Sequence, residues 1–192
     1  MARAIPFAAF IALVLAAGAA AADDSARAWE ALRGDGHVAL IRHASAPGAP
    51  GDPDGLDLAD CNTQRNLSER GRADARALGE RFRAERVKIG KAVTSQWCRC
   101  RQTGELMEIG PLEDAPEFNN AYVLRDQREA LTARARETVA AWRGPGTLVV
   151  MTHGQNILSL LGLHPREAEV VVVAPDPADA RKMRLVGRIA PP

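Results

Sequence analysis

A chain of 192 residues with 25 basic and 24 acidic side chains carries a formal charge of only +1, which excludes the one-sided positive field of a polyanion-binding surface; no nucleic-acid partner is expected. The length suits one domain that can bury a sizeable core without disulfides. Three cysteines are an odd number and make no disulfide framework.

Met1-Ala2-Arg3-Ala4 is a short positive start, Ile5 to Leu15 a mostly apolar region, and Ala16 to Ala22 a small-residue tail before Asp23-Asp24. That order predicts a signal peptide over 1–22 and a mature domain over 23–192, delivered to the periplasm or secreted. The rival is an uncleaved anchor, but the second half of the segment is nearly all alanine and fits a cleavage region better. No cysteine follows it to carry a lipid, so no stable membrane anchor is expected after cleavage. In an exporting compartment Cys61 can pair with Cys98 or Cys100, and one thiol is left over.

Ser25 is a candidate cap for a short helix through Trp29 and Leu32, ended by Gly34. Val38-Ala39-Leu40-Ile41 then reads as a short buried strand, and Arg42-His43 stand where it leaves the sheet. Residues 45–66 follow as a long segment rich in Gly, Pro and Asp, either a surface excursion or the rim of a site. Arg65 within it is a further positive group for such a site. Ser68 caps a helix whose Gly71, Ala75, Leu78 and Phe82 share one face.

Val87 to Thr94 returns to the sheet, and Ser95-Gln96-Trp97-Cys98-Arg99 opens a helix that runs to Gly110. An anion is favoured at such a helix start, so Arg99 or Arg101 is placed to close around one, Arg101 reading more as a solvent-facing residue, and Thr103, one turn on from Arg99, is placed to orient its guanidinium. Pro111 to Val123 is irregular. A helix from about Asp126 buries Leu131, Ala135, Thr138, Val139 and Trp142. Thr147 to Met151 is the second strongly apolar strand, and Thr152-His153-Gly154 end it as Arg42-His43 end the first. Gln155 to Leu161 is a short helix, and Val170 to Val173 and Met183 to Ile189 are two more strands. Alternating strands and helices predict an α/β sandwich.

Leu40-Ile41-Arg42-His43-Ala44, Leu67-Ser68-Glu69-Arg70-Gly71, Ser95-Gln96-Trp97-Cys98-Arg99 with Gln102-Thr103, and Thr152-His153-Gly154 together resemble the ordered signature of the histidine phosphatase superfamily, also called phosphoglycerate mutase-like. The resemblance covers nearly all of the mature chain. It implies a three-layer α/β/α sandwich with a mostly parallel central sheet. It also implies that His43 is the nucleophile that takes up a phosphoryl group, that Arg42 and Arg99 are its arginine partners, and that His153 is the second histidine of the phosphate pocket.

The chemistry agrees with those roles. Phosphoryl transfer needs an in-line nucleophile and neutralisation of the equatorial oxygens. His43 supplies the first; Arg42, Arg99, His153 if protonated, and the Gly154 amide supply the second. No metal or other cofactor is then required. His37 and His164 stand apart from any cluster that would hold a metal and read as structural.

At the proton donor this sequence departs from the family pattern. Mutase-like members of the family carry a glutamate after the second arginine-bearing helix, and here Phe118-Asn119-Asn120 takes that context. Glu117 is the first candidate and Asp126 the second, with an enzyme that uses neither as the third. The expected activity is a metal-independent phosphomonoester hydrolase acting on a small phosphorylated substrate. A phosphohistidine phosphatase and a non-catalytic phosphate-binding module are the alternatives. Oligomeric state is not legible.

Overall fold

The computed structural model describes residues 23–179 and 181–192; the signal segment expected over 1–22 lies outside them. A helix over 23–33 (α1) already includes Ser25, which is therefore helical rather than a cap. Strand β1 (Val38–Arg42) follows, and the chain reaches α2 (Glu69–Ala84) only after the long loop over 45–66. Next come β2 (Ile89–Thr94), α3 (Cys98–Met107), the short β3 (Leu112–Asp114), α4 (Arg128–Ala141) and β4 (Thr147–Thr152). Helix α5 (Gly154–Leu161) and strands β5 (Val170–Pro175) and β6 (Met183–Ile189) complete the domain.

The six strands form one sheet in the order β3-β2-β4-β1-β5-β6. The pairs β2·β3, β2·β4 and β1·β4 are parallel, whereas β5 lies antiparallel to β1 and β6 antiparallel to β5. Central strands covered on both faces must be apolar at every position, which is why β1, β4 and β5 read as continuous apolar runs. Their side chains still alternate. Ala39, Ile41, Val149, Met151, Val170 and Val172 pack with Trp29 and Leu32 of α1, Leu78 and Phe82 of α2 and Met107 of α3. Val38, Leu40, Leu148, Val150, Val171 and Val173 face Ala135 and Val139 of α4 and Ile157 and Leu160 of α5. The result is the expected three-layer sandwich, with each buried Val, Leu or Ile contributing about 1.5–3 kcal/mol.

Helix α2 forms as its pattern requires. Ser68 accepts the Gly71 amide at 3.0 Å, and Gly71, Ala75, Leu78 and Phe82 are buried. Helix α3 starts three residues later than its sequence suggests, because the Ser95 amide still donates to Met151 O of β4 at 2.9 Å and the chain bends at Gln96 and Trp97 before it turns helical. Trp97, its N-cap, offers no side-chain bond. Gln64 from the long loop does so instead, its Oε1 accepting the Cys98 amide at 2.9 Å. A disulfide joins Cys61 to Cys98, so the loop is tied to α3 twice within four residues, and Cys100 is left as a buried free thiol.

Candidate active site

Sheet register brings the two histidines together. In the parallel pair β1·β4, Arg42 stands opposite Thr152, and in β2·β4 Thr94 stands opposite Met151. One residue further on, His43, His153 and Ser95 leave three adjacent strands at the same edge, where α/β sheets place their sites. The His43 amide donates to Thr152 O at 2.9 Å, and the two imidazole centroids are 5.4 Å apart.

The tautomer of His43 follows from its partner. Nδ1 lies 2.9 Å from Ala44 O, and a carbonyl can only accept, so Nδ1 carries the hydrogen and Nε2 the lone pair. Burial and then the charge of Arg99 hold His43 well below the ordinary imidazole range, so the ring is neutral near pH 7. A neutral imidazole with Nε2 uncommitted is a nucleophile.

His153 is fixed from the β2 side. Ser95 Oγ lies 2.9 Å from His153 Nε2 and 3.3 Å from Asn119 Oδ1, and that oxygen accepts the Gln96 amide at 2.8 Å. Trp97 packs edge-on to the same imidazole, with centroids 5.6 Å apart. Burial, Arg99 and His43 hold His153 neutral as well, so in the unliganded site it does not carry the charge that its protonated form would supply. Cys100 Sγ lies 3.5 Å from His153 Nε2, and burial pushes that thiol up to about 12, so it stays protonated and unreactive.

Arg99 is fully buried, and its partner is Asp52 of the long loop. Nη1 donates to Oδ1 at 2.6 Å and Nη2 to Oδ2 at 3.1 Å, while Nε has no partner among the described residues. Asp52 also accepts the Arg65 amide at 3.1 Å and Trp97 Nε1 at 2.9 Å. Burial alone would raise the Asp52 carboxyl, but the Arg99 hydrogen bonds and charge outweigh it and leave the group below its ordinary value. Thr103 does not touch the guanidinium as its spacing suggests. Its hydroxyl donates to Arg99 O at 2.6 Å and accepts the Ala44 amide at 3.0 Å, which clamps α3 to the backbone beside His43.

Arg42 sits across the cavity. Nη1 donates to Pro165 O at 3.0 Å and Nη2 approaches Glu167 Oε1 at 3.5 Å, and again Nε is buried without a partner among the described residues. A methyl on Gly154 would stand 3.4 Å from Arg42 Cδ and Nε, an ordinary contact distance, which places Gly154 beside the guanidinium. Arg65 joins the same cavity, its guanidinium donating to Ala46 O and Gly51 O. The cavity measures about 600 Å³ and takes in Arg42, His43, Arg65, Arg99, His153 and Gly154.

Glu117 is not among these residues. Its Oε1 accepts Thr138 Oγ1 at 2.9 Å in a separate groove beside Lys91 and Trp142. The short helical turn over Pro116–Phe118 buries Phe118 toward the sheet and turns Glu117 toward α4. Asp126 is exposed and does not line the cavity either. Asn119 braces Ser95, and Asn120 lines the cavity. His164, read from sequence as structural, stands exposed at the rim. Sequence reasoning missed Asp52 and Glu167; neither lies in a periodic element, and only their proximity to Arg99 and Arg42 marks them.

The family model of the histidine phosphatase superfamily (branch 1) matches residues 38–142, from the start of β1 to the end of α4. Among solved structures, the protein histidine phosphatase SixA complexed with tungstate aligns at 16% identity and a TM-score of 0.52, covering 80% of this chain and 96% of that one. The putative phosphohistidine phosphatase SixA from Agrobacterium tumefaciens aligns at 19% identity and a TM-score of 0.55, covering 82% and 99%. TTHB049 from Thermus thermophilus gives 19%, 0.56, 80% and 99%. At these identities the likeness establishes a shared phosphoglycerate mutase-like fold. The chain matches none of the curated proteins.

Proposed function

This chain belongs to the histidine phosphatase superfamily, and from that premise we propose that it is a metal-independent phosphomonoester hydrolase working through a phosphohistidine on His43. The observation that carries the reading is the committed Nδ1 of His43, which leaves Nε2 free in a cavity lined by two arginines whose own buried Nε atoms are unpaired among the described residues. Nε2 attacks phosphorus as the ester oxygen leaves, and water then displaces phosphate from the ring. Arg42 and Arg99 meet the equatorial oxygens with charge-assisted hydrogen bonds, and the fixed arrangement of the donors lowers the reorganisation needed in the transition state. A phosphate dianion beside His153 also favours its imidazolium, which would then add a third charge.

The cavity is larger than a phosphate group needs, which suits a small phosphorylated organic substrate. Export to the periplasm or outside the cell fits the character of residues 1–22 and the Cys61–Cys98 bond, since disulfides persist in such compartments. A second reading, a phosphohistidine phosphatase, is favoured by Asn119 and Asn120, because a phosphoramidate asks less of a proton donor than an alkyl ester does.

The test is steady-state hydrolysis of 4-nitrophenyl phosphate with a chelator present, paired with an alkaline quench that preserves phosphohistidine. Turnover with phosphate trapped on His43, and loss of both in His43→Ala, is expected. Oxyanion binding without turnover would replace the phosphatase reading with a binding module. An adduct on another residue would overturn the role of His43.

A further inference from the structure

The displaced alkoxide of an alkyl ester needs a proton, and the residues expected from sequence to supply it stand outside the cavity. Asp52 cannot take over. Its two oxygens already accept from Arg99 twice, from the Arg65 amide and from Trp97 Nε1. Glu169 is likewise occupied by the Arg166 amide and the Arg188 guanidinium. Among the described residues, Glu167 is the one carboxylate that lines the cavity.

Backbone geometry shows that its position is built. The Ala168 amide donates to both Arg42 O at 3.1 Å and His43 O at 3.3 Å, and the Arg42 amide donates to Glu169 O at 3.2 Å. The segment before β5 is thereby stitched onto the two residues at the centre of the site. Ala168 is fully buried and holds φ 58°, a left-handed conformation that a residue with a Cβ rarely adopts. With that turn in place Glu167 Oε1 sits 3.4 Å from the Ala46 amide and 3.5 Å from Arg42 Nη2, and Oε2 has no hydrogen-bond partner among the described residues.

We propose that Glu167 is the proton donor of this site. The step rests on the phosphatase reading. As the His43 Nε2–phosphorus bond forms and the phosphorus–oxygen ester bond breaks, the Glu167 carboxyl gives its proton to the departing oxygen, releasing the alcohol. The carboxylate then takes a proton from the water that attacks the phosphohistidine. Phosphate leaves, the electron pair returns to Nε2, and Glu167 is again protonated.

The experiment compares kcat/KM for 4-nitrophenyl phosphate and for an alkyl phosphate in the parent enzyme, Glu167→Gln, His164→Gln and Glu117→Gln. This ratio is insensitive to hydrolysis of the adduct, so it isolates proton delivery to the leaving group. Glu167→Gln is expected to lower the alkyl value about 10²-fold or more and the aryl value less than about tenfold. His164→Gln and Glu117→Gln should leave the ratio of the two substrates unchanged. Equal losses on both substrates would make Glu167 a positioning residue for Arg42 and overturn the proposal. So would a leaving-group-dependent loss in His164→Gln instead, or a parent enzyme that turns over the aryl ester alone. A parent that hydrolyses neither ester, nor a phosphohistidine peptide, would overturn the phosphatase reading itself.

Discussion

Asp52 takes both terminal nitrogens of Arg99 at 2.6 and 3.1 Å, between side chains that are 1% and 0% exposed. A carboxylate from a turn-rich loop thereby fixes the guanidinium that the helix start presents to the cavity. Removing one partner of a buried pair leaves an uncompensated charge, which commonly costs about 3–5 kcal/mol. Asp52→Asn is expected to lower unfolding free energy by about 3 kcal/mol and to depress turnover with it. Arg99→Lys keeps the charge but not the planar fork and should lose most of its turnover. Urea unfolding and 4-nitrophenyl phosphate hydrolysis read both effects. A stable, fully active Asp52→Asn protein would show that Arg99 holds its place without the loop.

The Cys61–Cys98 bond closes a segment with a sequence separation of 37. Chain-entropy arguments assign such a closure roughly 4 kcal/mol. Reduction, or Cys61→Ser with Cys98→Ser, should lower the unfolding midpoint and loosen the loop that supplies Asp52, Gln64 and Arg65. Denaturant unfolding with and without reductant measures this. The double variant should be insensitive to reductant, and an equally insensitive parent would mean that the bond contributes nothing.

Gly71 marks a close approach rather than a flexible point. A methyl there would lie 2.1 Å from Ser45 O, a backbone oxygen that already accepts from the Ser68 amide and hydroxyl. Neither the oxygen nor α2 can move without disturbing the cap or the segment just after His43. Gly71→Ala should therefore destabilise by about 1–3 kcal/mol, although alanine is the better helix former. A thermal melt decides it: an unchanged or raised midpoint would refute the contact.

The two buried histidines make stability depend on pH. Burial, with the charges of Arg42, Arg65 and Arg99, lowers the folded-state values of His43 and His153 from 6.5, so the unfolded chain binds more protons below that pH. Stability from these groups is complete above about 6.5 and falls as pH drops through it, by up to about 1.4 kcal/mol per pH unit for each ring. Asp52 stays ionised in this window, because its carboxyl is held below 3.8. Denaturant midpoints should decline between about pH 6.5 and 5, and His43→Asn and His153→Asn should each remove part of the slope. A flat profile would mean that the rings protonate in the folded state.

Much of the fold was legible because burial on both faces of a sheet forces long apolar runs, and the strands at Val38, Thr147 and Val170 announce themselves that way. Arg42, His43, Arg99 and His153 were legible for a related reason: each stands where such a run stops or a helix begins. The short β3 was not, since Leu112-Glu113-Asp114 carries one apolar residue and pairs only because β2 offers it an edge.

By itself, then, the sequence determined the order of the strands and helices other than β3 and which polar residues stand at strand ends, since local periodicity and chain punctuation encode both. Tertiary structure alone decided which of those ends meet. Register sets His43 beside His153, and the closure of the long loop sets Asp52 on Arg99 across 47 positions of chain. It also leaves Glu117 in a separate groove and brings Glu167 to the cavity, with a hydrogen bond from Ala168 to the His43 carbonyl joining residues that share no helix, strand or turn. Such contacts depend on how separate elements pack, and spacing along the chain carries no record of them.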